Sequence, residues 1–219
     1  MRIRKKPWAR PELDSCSFFE KFPKNLKGCW KSKFYSDDVP LNLELGCGKG
    51  MFLAKLASSN PKVGYIGVDI KDEMLVLAKR NIEKEYTKKQ LPIKNVILTA
   101  YDIARIEDIF SKEDVIDRIY INFCNPWPKQ KHKKRRLTHP HQLLQYRNFL
   151  KSGGNIYFKT DDDDLFSDSI TYFKNCNFDI CYKTSDLCTD DAYSSIATEH
   201  EKMFRSMGKT IKFLVARKL

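Results

Sequence analysis

Apolar residues along this chain recur at two different intervals, and the alternation between them sets out the elements. Leu41-Asn42-Leu43-Glu44-Leu45 alternates apolar and polar positions as a strand does and runs directly into Gly46-Cys47-Gly48-Lys49-Gly50. Residues 51–57 then have the character of a helix that stops near Pro61. Tyr65-Ile66-Gly67-Val68 is a second predicted strand ending in Asp69, and over 73–86 Met74, Leu77, Ala78 and Ile82 fall on one helical face. Further strands are expected at 96–98, 119–123, 156–158, 178–182 and 211–215. Helices are expected near 106–110, 142–150, 165–173 and 198–206, with a turn at Gly153-Gly154.

Strands separated by helices specify an α/β domain with a Rossmann-like, mostly parallel central sheet and helices on both faces. The direction of the last strand stays open. Residues 1–40 show weak periodicity and are expected to form a basic N-terminal arm with a short helix, ahead of a domain spanning 41–219.

Composition narrows the class. At 219 residues with 42% apolar content, the chain suits one domain with a substantial core rather than a disordered segment. No window approaches 18 uninterrupted apolar residues, and the basic start lacks the apolar stretch of a signal peptide, so the expected location is cytoplasmic, without membrane attachment. Seven cysteines with no C-x-x-C and only four histidines argue against structural zinc and against a disulfide scaffold; no metal is expected. Whether the protein is a monomer or a homodimer is not decided by its sequence.

The net charge of +12 is local. Residues 1–40 carry +5 and 41–120 only +1, whereas 121–160 hold nine basic groups and no acid, and 161–219 carry −3. The densest run, Lys129-Gln130-Lys131-His132-Lys133-Lys134-Arg135-Arg136, has no apolar partner that would define a packed face. It is either a solvated loop or a phosphate-binding surface, since clustered cations gain affinity for nucleic acid by releasing its counterions.

A glycine-rich turn after a first strand lets backbone approach a ligand at a helix N-terminus, and an acid some 20 residues on can bind ribose hydroxyls. Asp69 lies 23 residues after Gly46 and meets that description. The spacing is G-x-G-x-G rather than G-x-G-x-x-G, and Glu44 precedes it. A carboxylate there suits a ligand carrying an ammonium and a sulfonium, whereas it would repel the pyrophosphate of a dinucleotide. Glu44-x-Gly46-x-Gly48-x-Gly50 resembles the cofactor loop of class I S-adenosylmethionine methyltransferases. Asp102, just past the third strand, is where such a fold contacts adenine; a helix N-cap is the plainer alternative.

Asn125-Pro126-Trp127-Pro128-Lys129 follows the fourth strand and Lys159-Thr160-Asp161 ends the fifth, so both lie at the carboxyl edge where open α/β sheets bind ligands. Asp161 is the expected base-reading carboxylate; Asp162, Asp163 and Asp164 suit the first turn of the following helix.

Taken together, residues 2–9, 44–50, 65–69, 122–136, 158–161 and 198–201 resemble, in order and across nearly the whole chain, the bacterial tRNA (guanine-N7-)-methyltransferase family. The resemblance implies S-adenosyl-L-methionine contacts at Glu44, Gly46, Gly48, Gly50, Asp69, Asp102 and Asn125. It implies tRNA contacts at Lys129, Lys131, His132, Lys133, Lys134, Arg135 and Arg136, and substrate contacts at Asp161, Thr198, Glu199, His200 and Glu201. Asp161 and Asn125 are the candidate catalytic residues, and the implied target is N7 of guanine 46 in the tRNA variable loop, giving 7-methylguanosine.

The family usually has aspartate where this chain has Asn125, which keeps an acceptor oxygen but loses the charge and gains an NH2 donor. Three alternatives follow from these residues. Asn125-Pro126-Trp127 partly matches the N-P-P-aromatic motif of exocyclic amino methyltransferases; Cys124 is a nucleophile only if the chemistry is that of pyrimidine C5 methylation; and Asn125 with the basic run would also suit an inactive RNA-binding relative.

Overall fold

The computed structural model describes residues 5–34, 36, 38–187 and 198–219, apart from the side chain of Glu199. Its centre is an eight-stranded sheet made of β1 (Phe19–Glu20), β2 (Leu41–Leu45), β3 (Gly64–Asp69), β4 (Val96–Ala100), β5 (Ile116–Asn122), β6 (Leu150–Thr160), β7 (Phe178–Thr184) and β8 (Lys212–Lys218). Their spatial order is β1-β4-β3-β2-β5-β6-β8-β7. All the pairings are parallel except those of β8, which runs antiparallel between β6 and β7. The strand whose direction the sequence leaves open is therefore the one reversed strand.

The helices are α1 (Ala9–Asp14), α2 (Met51–Ser59), α3 (Asp72–Lys88), α4 (Pro140–Phe149), α5 (Asp163–Asn175) and α6 (Glu199–Ser206). The expected helix near 106–110 is a 3-10 helix over Ile103–Asp108, and the expected Gly153-Gly154 turn is an irregularity within β6, where the register against β5 shifts and Gly153 has φ +73°. All five positions of β2 and the first five of β3 are buried, the pattern of central parallel strands covered on both faces. Among the described residues no helix is long and apolar enough to cross a membrane.

The N-terminal forty residues contribute more than a short helix. Ala9 and Leu13, one turn apart on α1, are fully buried in the cluster that includes Leu75, Val76 and Ile82 of α3. β1 extends the sheet beside β4. Trp30 is completely buried, stacked on Phe110 at 5.2 Å, with its indole N–H donating to the Ile109 carbonyl at 2.7 Å. Backbone N–H groups of Gly28 and Trp30 donate to the Asp114 carboxylate at 2.8 and 3.1 Å, which secures this segment to the body of the domain.

Candidate active site

The carboxyl ends of the parallel strands supply most of the site. After β2 the chain turns through Gly46, Gly48 and Gly50, with φ of +75°, +54° and +65°. Gly50 directly precedes α2, and a Cβ there would lie 2.6 Å from the Ala78 Cβ on α3. Only glycine meets both the left-handed backbone and that close approach.

Glu44, at the penultimate position of β2, is almost fully buried. Its Oε1 accepts from Asn122 Nδ2 at 3.0 Å, while Oε2 is buried without a hydrogen-bond partner among the described residues. Desolvation pushes its carboxyl up to about 8, against the opposing pull of the Asn122 hydrogen bond. An unpaired buried acceptor is costly, so this oxygen is suited to an incoming cation. Asp69 ends β3; its Oδ2 accepts the Gly48 N–H and its Oδ1 the Lys71 N–H, each at 3.0 Å, so it ties the glycine turn to the next strand. Burial raises its carboxyl above the ordinary range despite those hydrogen bonds.

Two cavities meet at Gly46. The smaller, of about 190 Å³, is lined by Glu44, Gly48, Gly50, Asn122, Thr198 and His200 among others. The larger, of about 810 Å³, is lined by residues including Asp69, Asp102, Trp127, Leu137 and His141. Asp102 Oδ1 caps the Ala104 N–H at 3.0 Å, and the residue also lines the larger cavity. These features fit S-adenosyl-L-methionine, with the buried Glu44 carboxylate beside the small compartment and acids along the wall of the large one.

Asn125 is exposed, outside the lining of either cavity; its Oδ1 accepts the Trp127 N–H at 3.0 Å and so stabilises a corner at which Trp127 has φ +43°. An asparagine oxygen serves this purpose without a charge. The Trp127 ring has Arg135 at 5.1 Å and His132 at 5.8 Å. Cys124 is surrounded so that burial pushes its thiol up to about 12, which leaves it protonated and unsuited to nucleophilic attack.

The basic run divides in two. Lys129, Lys131, Lys134 and Arg135 are exposed. Arg136 is completely buried, and both it and Lys133 pair with Asp168 of α5 at 2.5 and 2.6 Å. The Arg136 guanidinium is thus enclosed by protein, unlike the exposed members of the run for which tRNA contacts are expected.

Asp161 pairs with Lys209 at 2.7 Å, and its backbone carbonyl accepts from Lys212. Asp162 is the N-cap of α5, accepting from the Leu165 N–H at 2.7 Å, with Asp163 and Asp164 in the first turn. Thr198 caps α6 by accepting the Glu201 N–H at 3.0 Å, and His200 stacks on Phe123 at 5.8 Å. Glu201 is buried and paired with Lys159 at 3.1 Å, so its carboxylate anchors α6 to the end of β6. The side chain of Glu199 lies outside the described residues, as do residues 2–4 of the resembling N-terminal stretch. Asn122, Asp168 and Lys209 were not singled out by sequence, because each acts through a partner remote in the chain.

The profile of a family described as "Putative methyltransferase" matches residues 38–214. Proteins named tRNA (guanine-N(7)-)-methyltransferase match over full length: one from Clostridium beijerinckii is 60% identical over 218 residues, covering 100% of this chain and 99% of its own. One from Clostridium perfringens (strain SM101 / Type A) is 58% identical, covering 100% of both, and one from Acetivibrio thermocellus is 55% identical over the same shares. Among solved structures, the 16S rRNA methyltransferase KamB superposes with a TM-score of 0.62 at 11% identity, over 86% of this chain and 90% of that one. An antibiotic-related methyltransferase gives 0.60 at 19% identity, over 84% and 88%. The structural likenesses establish the class I methyltransferase fold, and the full-length relatives with the site geometry establish more: the chain belongs to the tRNA (guanine-N7-)-methyltransferase family.

Proposed function

We propose that this cytoplasmic enzyme transfers the methyl group of S-adenosyl-L-methionine to N7 of guanine 46 in the variable loop of tRNA, giving 7-methylguanosine. The observation that carries the reading is that Glu44, one of whose buried oxygens has no partner among the described residues, lines one small cavity together with Thr198 and His200, positions at which the resemblance implies substrate contacts. This shared lining supports a reading in which methyl donor and acceptor base meet at one place.

When bound, S-adenosyl-L-methionine supplies an electrophilic methyl on a sulfonium. Guanine N7 has an in-plane lone pair and no proton, so its bond to the methyl carbon would form as the C–S bond breaks, and the chain would need no general base. Its residues orient the two partners, an effect with a general ceiling of about 7–11 kcal/mol. Glu44 would receive the ammonium, Asp69 the ribose hydroxyls and Asp102 the adenine. Asp161 accepts from the guanine N1–H and amino group, which adenine cannot match, and its charge favours the positive charge that grows on the base. Lys129, Lys131, Lys134 and Arg135 hold the tRNA phosphates.

The test is a pair of tRNA transcripts that differ at position 46. The parent accepts a methyl group and the transcript with adenine at 46 does not; methylation of both would overturn the assignment of the target.

A further inference from the structure

We propose that Arg136, braced by Asp168, is a positioning residue that holds the Asn125–Pro128 segment against the larger cavity and makes no contact with tRNA. The inference rests on the tRNA methylation proposed above. Arg136 has no exposed surface, unlike Lys134 and Arg135 immediately before it. Its guanidinium reaches in two directions: Nε donates to the Pro126 carbonyl at 2.7 Å, and Nη1 donates to Asp168 Oδ2 at 2.5 Å. Lys133 Nζ donates to the same carboxylate oxygen at 2.6 Å. A buried cation persists only where partners replace its water, and here the partners are a backbone carbonyl of the motif and a helix acid, with Nη2 left buried without a hydrogen-bond partner among the described residues.

The Pro126 carbonyl is a meaningful place to hold. It lies between Asn125, whose side chain accepts the Trp127 N–H, and Trp127, whose φ of +43° requires the surrounding structure to over-determine it. Arg136 restrains the corner from one side and Asn125 from within. Trp127 in turn forms part of the larger cavity. One residue beyond Asp168, Ser169 shares a 2.6 Å hydrogen bond with Thr138, a second tie from α5 to the loop. Because α5 starts directly after Asp161 and Asp162, one helix sets both the expected base-reading carboxylate and the tryptophan corner. A lysine at 136 would offer one nitrogen to two partners that the guanidinium meets with separate nitrogens, Nε and Nη1, so the planar fork is lost.

The test measures methyl transfer to a tRNA transcript, the salt dependence of tRNA binding and the urea unfolding midpoint for wild type, Arg136→Met, Arg136→Lys and Asp168→Ala. Wild-type turnover in the same assay separates failure of this inference from failure of the tRNA reading. Arg136→Met is expected to lose tenfold or more in kcat with KM for tRNA and the salt slope unchanged, and Arg136→Lys not to restore kcat. Asp168→Ala, altering a partly exposed side chain, is expected to lower kcat several-fold at an unchanged slope, and it decides the matter if Arg136→Met does not fold. Wild-type kcat in Asp168→Ala, or full kcat in Arg136→Met with a slope shallower by about 0.9, would overturn the inference.

Discussion

Asn122 Nδ2 donates to Glu44 Oε1 at 3.0 Å across the adjacent strands β5 and β2, and the other oxygen of Glu44 is left buried without a partner among the described residues. This half-satisfied carboxylate links ligand affinity to pH. With its carboxyl at about 8 in the ligand-free protein, Glu44 is largely protonated at pH 7, and a cationic ligand selects the ionised form. Affinity for S-adenosyl-L-methionine is expected to fall about tenfold per pH unit below 8 and to level off above it, as followed by calorimetry from pH 6 to 9. A flat profile would remove Glu44 from ammonium recognition.

The same shift has a stability consequence. The folded, ligand-free protein keeps a proton on Glu44 that the unfolded chain, with its ordinary value near 4.5, releases, so folding stability falls as pH rises from about 4.5 to 8. Glu44→Gln retains the acceptor for Asn122 but never ionises. Thermal melting at pH 8 is expected to show this variant more stable than wild type while it binds the cofactor weakly; lower stability at pH 8 would show that Glu44 is not held in a desolvating site.

Gly50→Ala places a Cβ 2.6 Å from that of Ala78 on a backbone at φ +65°. The strain of about 1–2 kcal/mol and overpacking of about 1–3 kcal/mol are expected to destabilise the fold by ~2–5 kcal/mol in urea unfolding. A loss under about 1 kcal/mol would mean that α2 and α3 separate easily at this point.

Asp161→Ala removes a charged acceptor from the substrate edge and leaves Lys209 without it. Loss of a hydrogen bond to a charged group is worth about 1.5–3 kcal/mol, so kcat/KM on tRNA is expected to drop ~10- to 100-fold. Near-wild-type kcat/KM would rule out Asp161 as the base-reading group.

Neutralising Lys129, Lys131, Lys134 and Arg135 together is expected to flatten the salt dependence of tRNA binding by up to about 0.9 for each phosphate that is no longer neutralised, on the duplex slope. Cofactor affinity is expected to hold, and an unchanged slope would return this loop to ordinary solvated surface.

The parallel sheet, the cofactor loop and the carboxyl-edge motifs were legible because each depends on residues close in sequence: the alternation in 41–45, the glycines after it, and Asp69 at the next strand's end. The N-terminal packing was not, since Trp30 and the two-residue β1 act as single contacts without a period. The division of the basic run was hidden for a related reason. Arg136 is set apart by its burial and by its bonds to the Pro126 carbonyl and to Asp168, 32 residues later, and Asp161 meets Lys209 across 48 residues. Asn125 keeps, without the charge of an aspartate, an oxygen that accepts the Trp127 N–H, a short-range contact across two residues.

The most direct measurement is incubation of the purified protein with unmodified tRNA and methyl-labelled S-adenosyl-L-methionine, followed by nuclease digestion and mass spectrometric mapping of the labelled nucleoside. The expected result is 7-methylguanosine at position 46 alone. Labelled N6-methyladenine or 5-methylcytosine, label at another guanine, or cofactor binding without any transfer would contradict the account.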